Sequence, residues 1–146
     1  MAWAQTKHTA VGQTRVEKEV RTASEEFISA FVNLDWERFT AFFADDSTAF
    51  FPPSARNARR ANGKTEIEKM FKNVFEQARK QQSGPPYLSI QPRDINIQVF
   101  HDVAIVTFHL EDPNMFGRRT IVFRKVGGKW LIVHLHASGD AYPAKD

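Results

Sequence analysis

Hydrophobic residues recur at helical spacing before Ser83-Gly84-Pro85-Pro86 and at alternate positions after it. A chain that changes period once, at a segment no regular helix can cross, divides into a helical half and a sheet half. Helices first and short-turned strands afterwards define the α+β class, not an alternating α/β one. The 146 residues suit one domain with one contiguous core.

In the helical half, Val16, Val20, Ala23, Phe27, Phe31 and Leu34 form one apolar stripe. Thr14 and Glu17 have capping-box spacing at its start. Asp35 then caps a shorter helix carrying Trp36, Phe39, Phe42 and Phe43, which stops near Asp45-Asp46. Ser47 to Phe51 reads as a short strand ended by Pro52-Pro53. A polar stretch from Ser54 to Gly63 precedes a third helix. Thr65 and Glu68 supply its capping box, and Ile67, Met70, Phe71, Val74, Phe75 and Ala78 its buried face.

The sheet half begins with two segments, Tyr87 to Gln91 and Asp94 to Phe100, parted by Pro92. Val103 to Glu111, Arg118 to Val126 and Lys129 to Ser138 are three long strands. His101-Asp102 and Gly127-Gly128 turn the chain between them, the glycine pair suiting a turn with positive φ at both central residues. The product is an antiparallel meander. On the last strand Leu131, Val133, Leu135 and Ala137 form a wholly apolar set, expected to face the helices. Trp130, Ile132, His134, His136 and Ser138 are then expected to face outward. The same alternation points Val106, Phe108 and Leu110 inward and Thr107 and His109 outward. Residues 1–13 read as a flexible lead, 14–140 as the domain and 141–146 as a tail.

Composition removes several classes. Hydrophobic residues at 42% and charged residues at 25% describe a globular chain. With no Cys there is no disulfide scaffold, no thiol nucleophile and no Cys-ligated metal. No apolar run approaches the roughly 18 residues of a membrane span, so no membrane partner is expected. A net charge of +3 is too weak to argue for nucleic acid. The Arg56, Arg59, Arg60, Lys64 cluster lacks interleaved aromatics and reads as a solvated loop. His134 and His136 share a face, but the strand between them and His109 presents Thr120, Val122 and Arg124. Those make a poor ligand set, so neither a metal nor another cofactor is expected. Ala2-Trp3-Ala4-Gln5 resembles a signal-peptide cleavage end with no leader before it, and the expectation is a cytoplasmic protein. The alternative is an exported one, trimmed from a longer precursor.

The closing run from Gly128 through Trp130, His134 and His136 to Ser138 resembles the final strand of SnoaL-like domains in the nuclear transport factor 2-like superfamily. It is also similar to the association (hub) domain of calcium/calmodulin-dependent protein kinase II. Asp35-Trp36 to Asp45 matches that family's second helix, Thr48-Ala49-Phe50 leads into a Pro-containing loop, and Asp102-Val103-Ala104 opens a strand in the corresponding place. The resemblance spans about residues 15 to 140. It implies a cystatin-like cone, a curved sheet around a long helix with a pocket at the open end, and dimers formed through the outer sheet face. The hub domain's basic, carboxylate-accepting pocket positions align here with Phe71, Leu110, Ile121 and Ala137, all apolar. The Tyr and paired carboxylates of the superfamily's ketosteroid isomerases find no match.

Two functional readings follow. The first is an apolar pocket for a small hydrophobic ligand, open to isomerase, cyclase or lyase chemistry. Its expected lining is Phe27, Phe31, Phe51, Phe71, Phe108, Leu110 and Ile121, with Phe75 among the inward aromatics. Tyr87, Asp94, Asn96 and Arg119 are the polar candidates at its mouth, and Arg119, which shares the parity of Ile121, is the expected anchor. The second is a non-catalytic association module, homodimeric through Trp130, Ile132, His134 and His136 on the outer face.

Overall fold

The computed structural model describes residues 10–51, 59–111 and 115–141. Expectations that fall on residues 1–9, Pro52-Pro53, Arg56 and the tail past Ala141 lie outside the described residues. Helix α1 spans Ala10–Val32, α2 Trp36–Ala41 and α3 Lys64–Gln81. Strands β1 (Phe43–Phe50), β2 (Ala61–Asn62), β3 (Arg93–Phe100), β4 (Val103–Glu111), β5 (Met115–Val126) and β6 (Lys129–Ala141) form one sheet in the order β2-β1-β6-β5-β4-β3. The fold is α+β, with helices in the first half and a curved six-stranded sheet. No helix among the described residues is long and apolar enough to cross a membrane.

Inward residues line up in rows across the strands. Ile97, Val106, Ile121, Leu135 and Ala49 make one row, and Val99, Ala104, Phe123 and Ile132 the next. Against them α1 buries Val20, Phe27 and Ala30, with Leu34 in the turn after it, while α3 buries Ile67, Phe71, Phe75 and Ala78. Phe39, 1% exposed, sits where these layers meet. Its ring centroid lies 4.7 Å from Phe71, 5.0 Å from Phe75, 5.1 Å from Phe27, 5.4 Å from Phe43 and 5.5 Å from Phe31.

The hairpins form as expected. Gly127 and Gly128 have φ of 56° and 79°, and His101 turns at 56°. The Asp35 carboxylate accepts from the Arg38 backbone N–H at 3.2 Å, capping α2.

Other boundaries differ. Helix α1 starts at Ala10, so Thr14 and Glu17 lie inside it rather than at its cap. Helix α3 starts two residues earlier than expected, its cap at Gly63 (φ 88°) instead of Thr65. Glu66, not Glu68, reaches back to accept from the Asn62 N–H at 2.7 Å. Phe43 opens β1 instead of closing α2, because Phe42 ends the helix and its carbonyl accepts from the Ile132 N–H at 2.7 Å. No strand forms over Tyr87 to Gln91. The Tyr87 and Leu88 N–H groups instead donate to the Val32 carbonyl at the end of α1.

The largest correction concerns β6. Its register with β5 runs Phe123↔Ile132 and then Val122↔His134, which leaves Val133 without a partner. A one-residue bulge reverses the parity of everything before it. Trp130 at 7% exposure and Ile132 at 0% therefore face the helices, beside Leu135 and Ala137. Leu131 and Val133 join His134 and His136 on the outer face. Two apolar pairs are buried by one strand that a regular alternation could not have buried together.

Phe39→Ala is expected to cost about 3–5 kcal/mol, because five packed rings cannot close over the gap. Urea denaturation at neutral pH measures this; a loss below about 1 kcal/mol would mean the cluster repacks.

Candidate functional site

The rows nearest the Gly117 end of β5 carry the interior's chemistry. Phe108 pairs with Arg119, and Arg119 with Ala137; beyond them Leu110 pairs with Gly117, and Gly117 with Gly139. Since Phe108 and Ala137 are buried from the helix side, Arg119 shares their face, as the alternation indicated. Its Nη1 donates to the Arg118 carbonyl at 2.9 Å and to the Ser138 carbonyl at 3.1 Å. Its Nε and Nη2 have no partner among the described residues. No buried side-chain nitrogen or oxygen there lacks a hydrogen bond, so that free edge is open rather than sealed. Burial lowers the Arg119 pKa from its ordinary value, but a guanidinium stays cationic at neutral pH.

Gly117 makes room for this side chain. A Cβ there would stand 3.2 Å from Arg119 Nη1 and 3.0 Å from the Leu110 carbonyl oxygen. Any larger residue would have to push the guanidinium aside. That requirement is visible in the sequence once Gly117 is counted two positions before Arg119, on the same face.

The remaining expected site residues separate into groups. Phe27, Phe31 and Phe71 pack into the ring cluster, and Phe51 joins it through Phe71 at 5.0 Å. Ile121 is wholly buried in the row below Arg119, while Leu110 is half-buried. Tyr87 is half-buried at the end of α1, with the Arg79 guanidinium 5.9 Å from its ring centre. Asp94 and Asn96 are not at an inner mouth. Both are exposed on the outer side, Asn96 opposite Thr107 and the Asp94 carboxylate 3.9 Å from His109 Nδ1. Asn96 is outward by plain alternation, since its neighbour Ile97 sits in the inward row; the register shift between Arg93 and Asn96, with Asp94 at φ 52°, lies beyond it.

At the other end of the inner face, Glu19 Oε2 accepts from Lys125 Nζ at 3.0 Å and from Trp130 Nε1 at 3.2 Å. Those two hydrogen bonds, Lys125 first, hold the Glu19 carboxyl below its ordinary pKa. An open cleft of about 450 Å³ lies beside them, lined by Arg15, Lys18, Glu26 and Trp130 among others. Sequence reasoning missed this trio because it placed Trp130 outside.

On the outer face, His134 Nδ1 lies 2.8 Å from Thr48 Oγ1, and the Phe50 ring packs 5.9 Å from His134 and 5.5 Å from His136. This follows from the parallel pairing of β1 with β6, in register at Thr48↔His134. Burial, then His136, then Arg60 lower the His134 pKa. Among the described residues no group of three His, Cys, Asp or Glu is placed to hold a metal ion.

A long helix across a curved antiparallel sheet, with β1 returning parallel to the last strand, defines the nuclear transport factor 2-like, or cystatin-like, class. Solved structures share it at low identity. A nuclear transport factor 2-like protein of unknown function from Pseudomonas putida is 24% identical, with 86% of this chain and 87% of that one covered at a TM-score of 0.68. A protein from Streptomyces avermitilis, provisionally assigned as a dehydratase of that family, is 18% identical, with coverages of 90% and 99% and a TM-score of 0.72. One from Thiobacillus denitrificans, provisionally assigned as a calcium/calmodulin-dependent protein kinase type II association domain, is 20% identical, with coverages of 81% and 92% and a TM-score of 0.66. No curated protein matches the chain. The SnoaL-like domain model matches residues 20–143, and the chain belongs to that family.

The lowered His134 pKa fixes a pH dependence. The folded state disfavours the imidazolium relative to the unfolded chain, so stability present above pH 6.5 is lost as pH falls through the lowered value. Proton NMR should place the His134 midpoint below 6.5, and His134→Asn should remove this part of the acid sensitivity. A midpoint above 6.5 would contradict the burial argument.

Proposed function

We propose that this SnoaL-like domain binds a small hydrophobic ligand on the inner face of its sheet, where Phe108, Leu110, Gly117, Ala137 and Gly139 surround Arg119. The observation that carries this reading is a cation among apolar neighbours at this end of the inner face, with a free, open edge. Desolvating a guanidinium is costly, and a ligand that meets it offsets the cost. Isomerase, cyclase or lyase chemistry is the finer reading, and the likeness to a provisionally assigned dehydratase speaks for it. The interior speaks for binding first. The only buried polar residues described are Ser24 and Ser47, and both hydroxyls are spent on backbone carbonyls, of Val20 and Ala44. Neither is an acid or a base fit to move a substrate proton.

A panel of hydrophobic ketones, acids and sterols tests the reading by thermal shift. A saturable rise is expected, since a ligand at one hundred times its Kd adds about 2.7 kcal/mol to the native state. A flat response to every compound at saturating concentration would overturn it.

The association reading rests on a separate observation. Ile105, Val122, Leu131, Val133 and Phe50 are half-buried on the outer face, and Phe100 is 56% exposed. Such a band suits a second copy of the chain, with His134 and His136 beside it; Trp130 and Ile132 belong to the interior and contribute nothing there. Sedimentation at micromolar concentration should give a dimer, and Val133→Glu a monomer. A monomeric parent protein would end this reading.

A further inference from the structure

We infer that the ligand of the inner face is a monocarboxylate with an apolar body, received side-on by the Nε and Nη2 edge of Arg119. This names the ligand class for the binding reading above and rests on it.

Charge balance comes first. Lys125, the other cation with inward parity on β5, has Glu19 at 3.0 Å. The neighbouring outer arginines are matched as well, Arg118 with Asp140 at 3.0 Å and Arg124 with Asp46 at 3.5 Å. Among the described residues Arg119 has two main-chain carbonyls and no carboxylate. Carbonyl dipoles satisfy hydrogen bonds without cancelling charge, so a net positive site remains in surroundings of low polarity.

Geometry then selects the anion. Both carbonyl contacts are made by Nη1 alone, which pins one corner of the planar group. The opposite side keeps two parallel N–H donors, the fork that a carboxylate matches with both oxygens. A ketone or alcohol oxygen would occupy one donor and leave the charge unmatched. A dianionic phosphate would bring a second charge with no second unmatched cation among the described residues of that face.

Space and polarity describe the rest of the molecule. Gly117 and Gly139 face each other across β5 and β6 and bring no side chain of their own to the row beyond Arg119, which the Met115 methyl reaches at 3.3 Å from where a Gly139 Cβ would stand. Phe108, Ala137 and Leu110 flank it with hydrocarbon. The carboxylate therefore anchors a chain or ring that is itself apolar.

Calorimetric titration of the intact protein with matched probes tests this: octanoate against octanol, and naphthoate against naphthylmethanol. Each acid is expected to bind at least about tenfold tighter than its alcohol, the least a charge-assisted bidentate contact should give. Arg119→Met should make acid and alcohol bind alike. Arg119→Lys, which keeps the charge but not the fork, should retain a reduced preference; it also serves if the Met variant does not fold. Equal binding of acid and alcohol to the unaltered protein, or an acid preference that survives in Arg119→Met, would overturn the inference and leave the apolar binding reading standing. Binding of neither probe in either pair would remove both.

Discussion

Phe39 decides where anything else can fit. The six-residue helix that carries it is held at its start by Asp35 and at its end by the strand contact of Phe42. Those two restraints aim one ring into the middle of five others, from α1, β1 and α3. A cluster this dense leaves no side chain free to line a ligand under the helices, which is why Phe27, Phe31 and Phe71 belong to packing. At the other end of the inner face the strands carry the small residues Gly117, Ala137 and Gly139. The aromatic end of the sheet and the end proposed to receive a ligand thus differ in the size of the residues that their strands carry.

Much of this was legible in the sequence because local rules govern it. The change of period at Ser83-Gly84-Pro85-Pro86 separates helices from sheet, the bounds of β4 follow its alternation, and Gly127-Gly128 dictates its own turn. The inward parity of Arg119 was also legible, since β5 runs regularly from Gly117 to Phe123. What escaped was non-local or degenerate. Leu131-Ile132-Val133 is apolar at every position, so alternation cannot tell which residue a bulge will eject. The choice falls to the interior, which accommodates the larger set of Trp130 and Ile132. The parallel docking of β1 beside β6 is set by contacts between residues far apart in the chain, and no local pattern announces Thr48 against His134. Asn96 was legible after all: alternation with the inward Ile97 puts it on the outer face, and Asp94, at a register shift in the edge strand, lies on that side too.

That exchange also changes what the outer face is made of. With Trp130 withdrawn to Glu19, the exposed side is defined by aliphatic residues and an imidazole pair instead of a large aromatic. His134 is held by Thr48, covered in part by Phe50 and set near His136 and Arg60, surroundings that favour its neutral form. His134 becomes charged as acid is added, so any contact that this face makes through it inherits that sensitivity.

Arg119 and Lys125 occupy equivalent parity on one strand, and the binding reading rests on the contrast between them. Lys125 is paired with a carboxylate, stacked over Trp130 at 5.7 Å, and belongs to the architecture that ties α1 to the β5–β6 hairpin. Arg119 ties nothing together. Its contacts run to the carbonyl of its own neighbour and to the adjacent strand, whose pairing already exists without it. An apolar side chain of similar length would fill the same groove without the desolvation that the guanidinium incurs. On the binding reading proposed above, a group that burdens the folded state and keeps its best donors turned toward open space is explained by what it binds, and those donors set the chemistry of that partner.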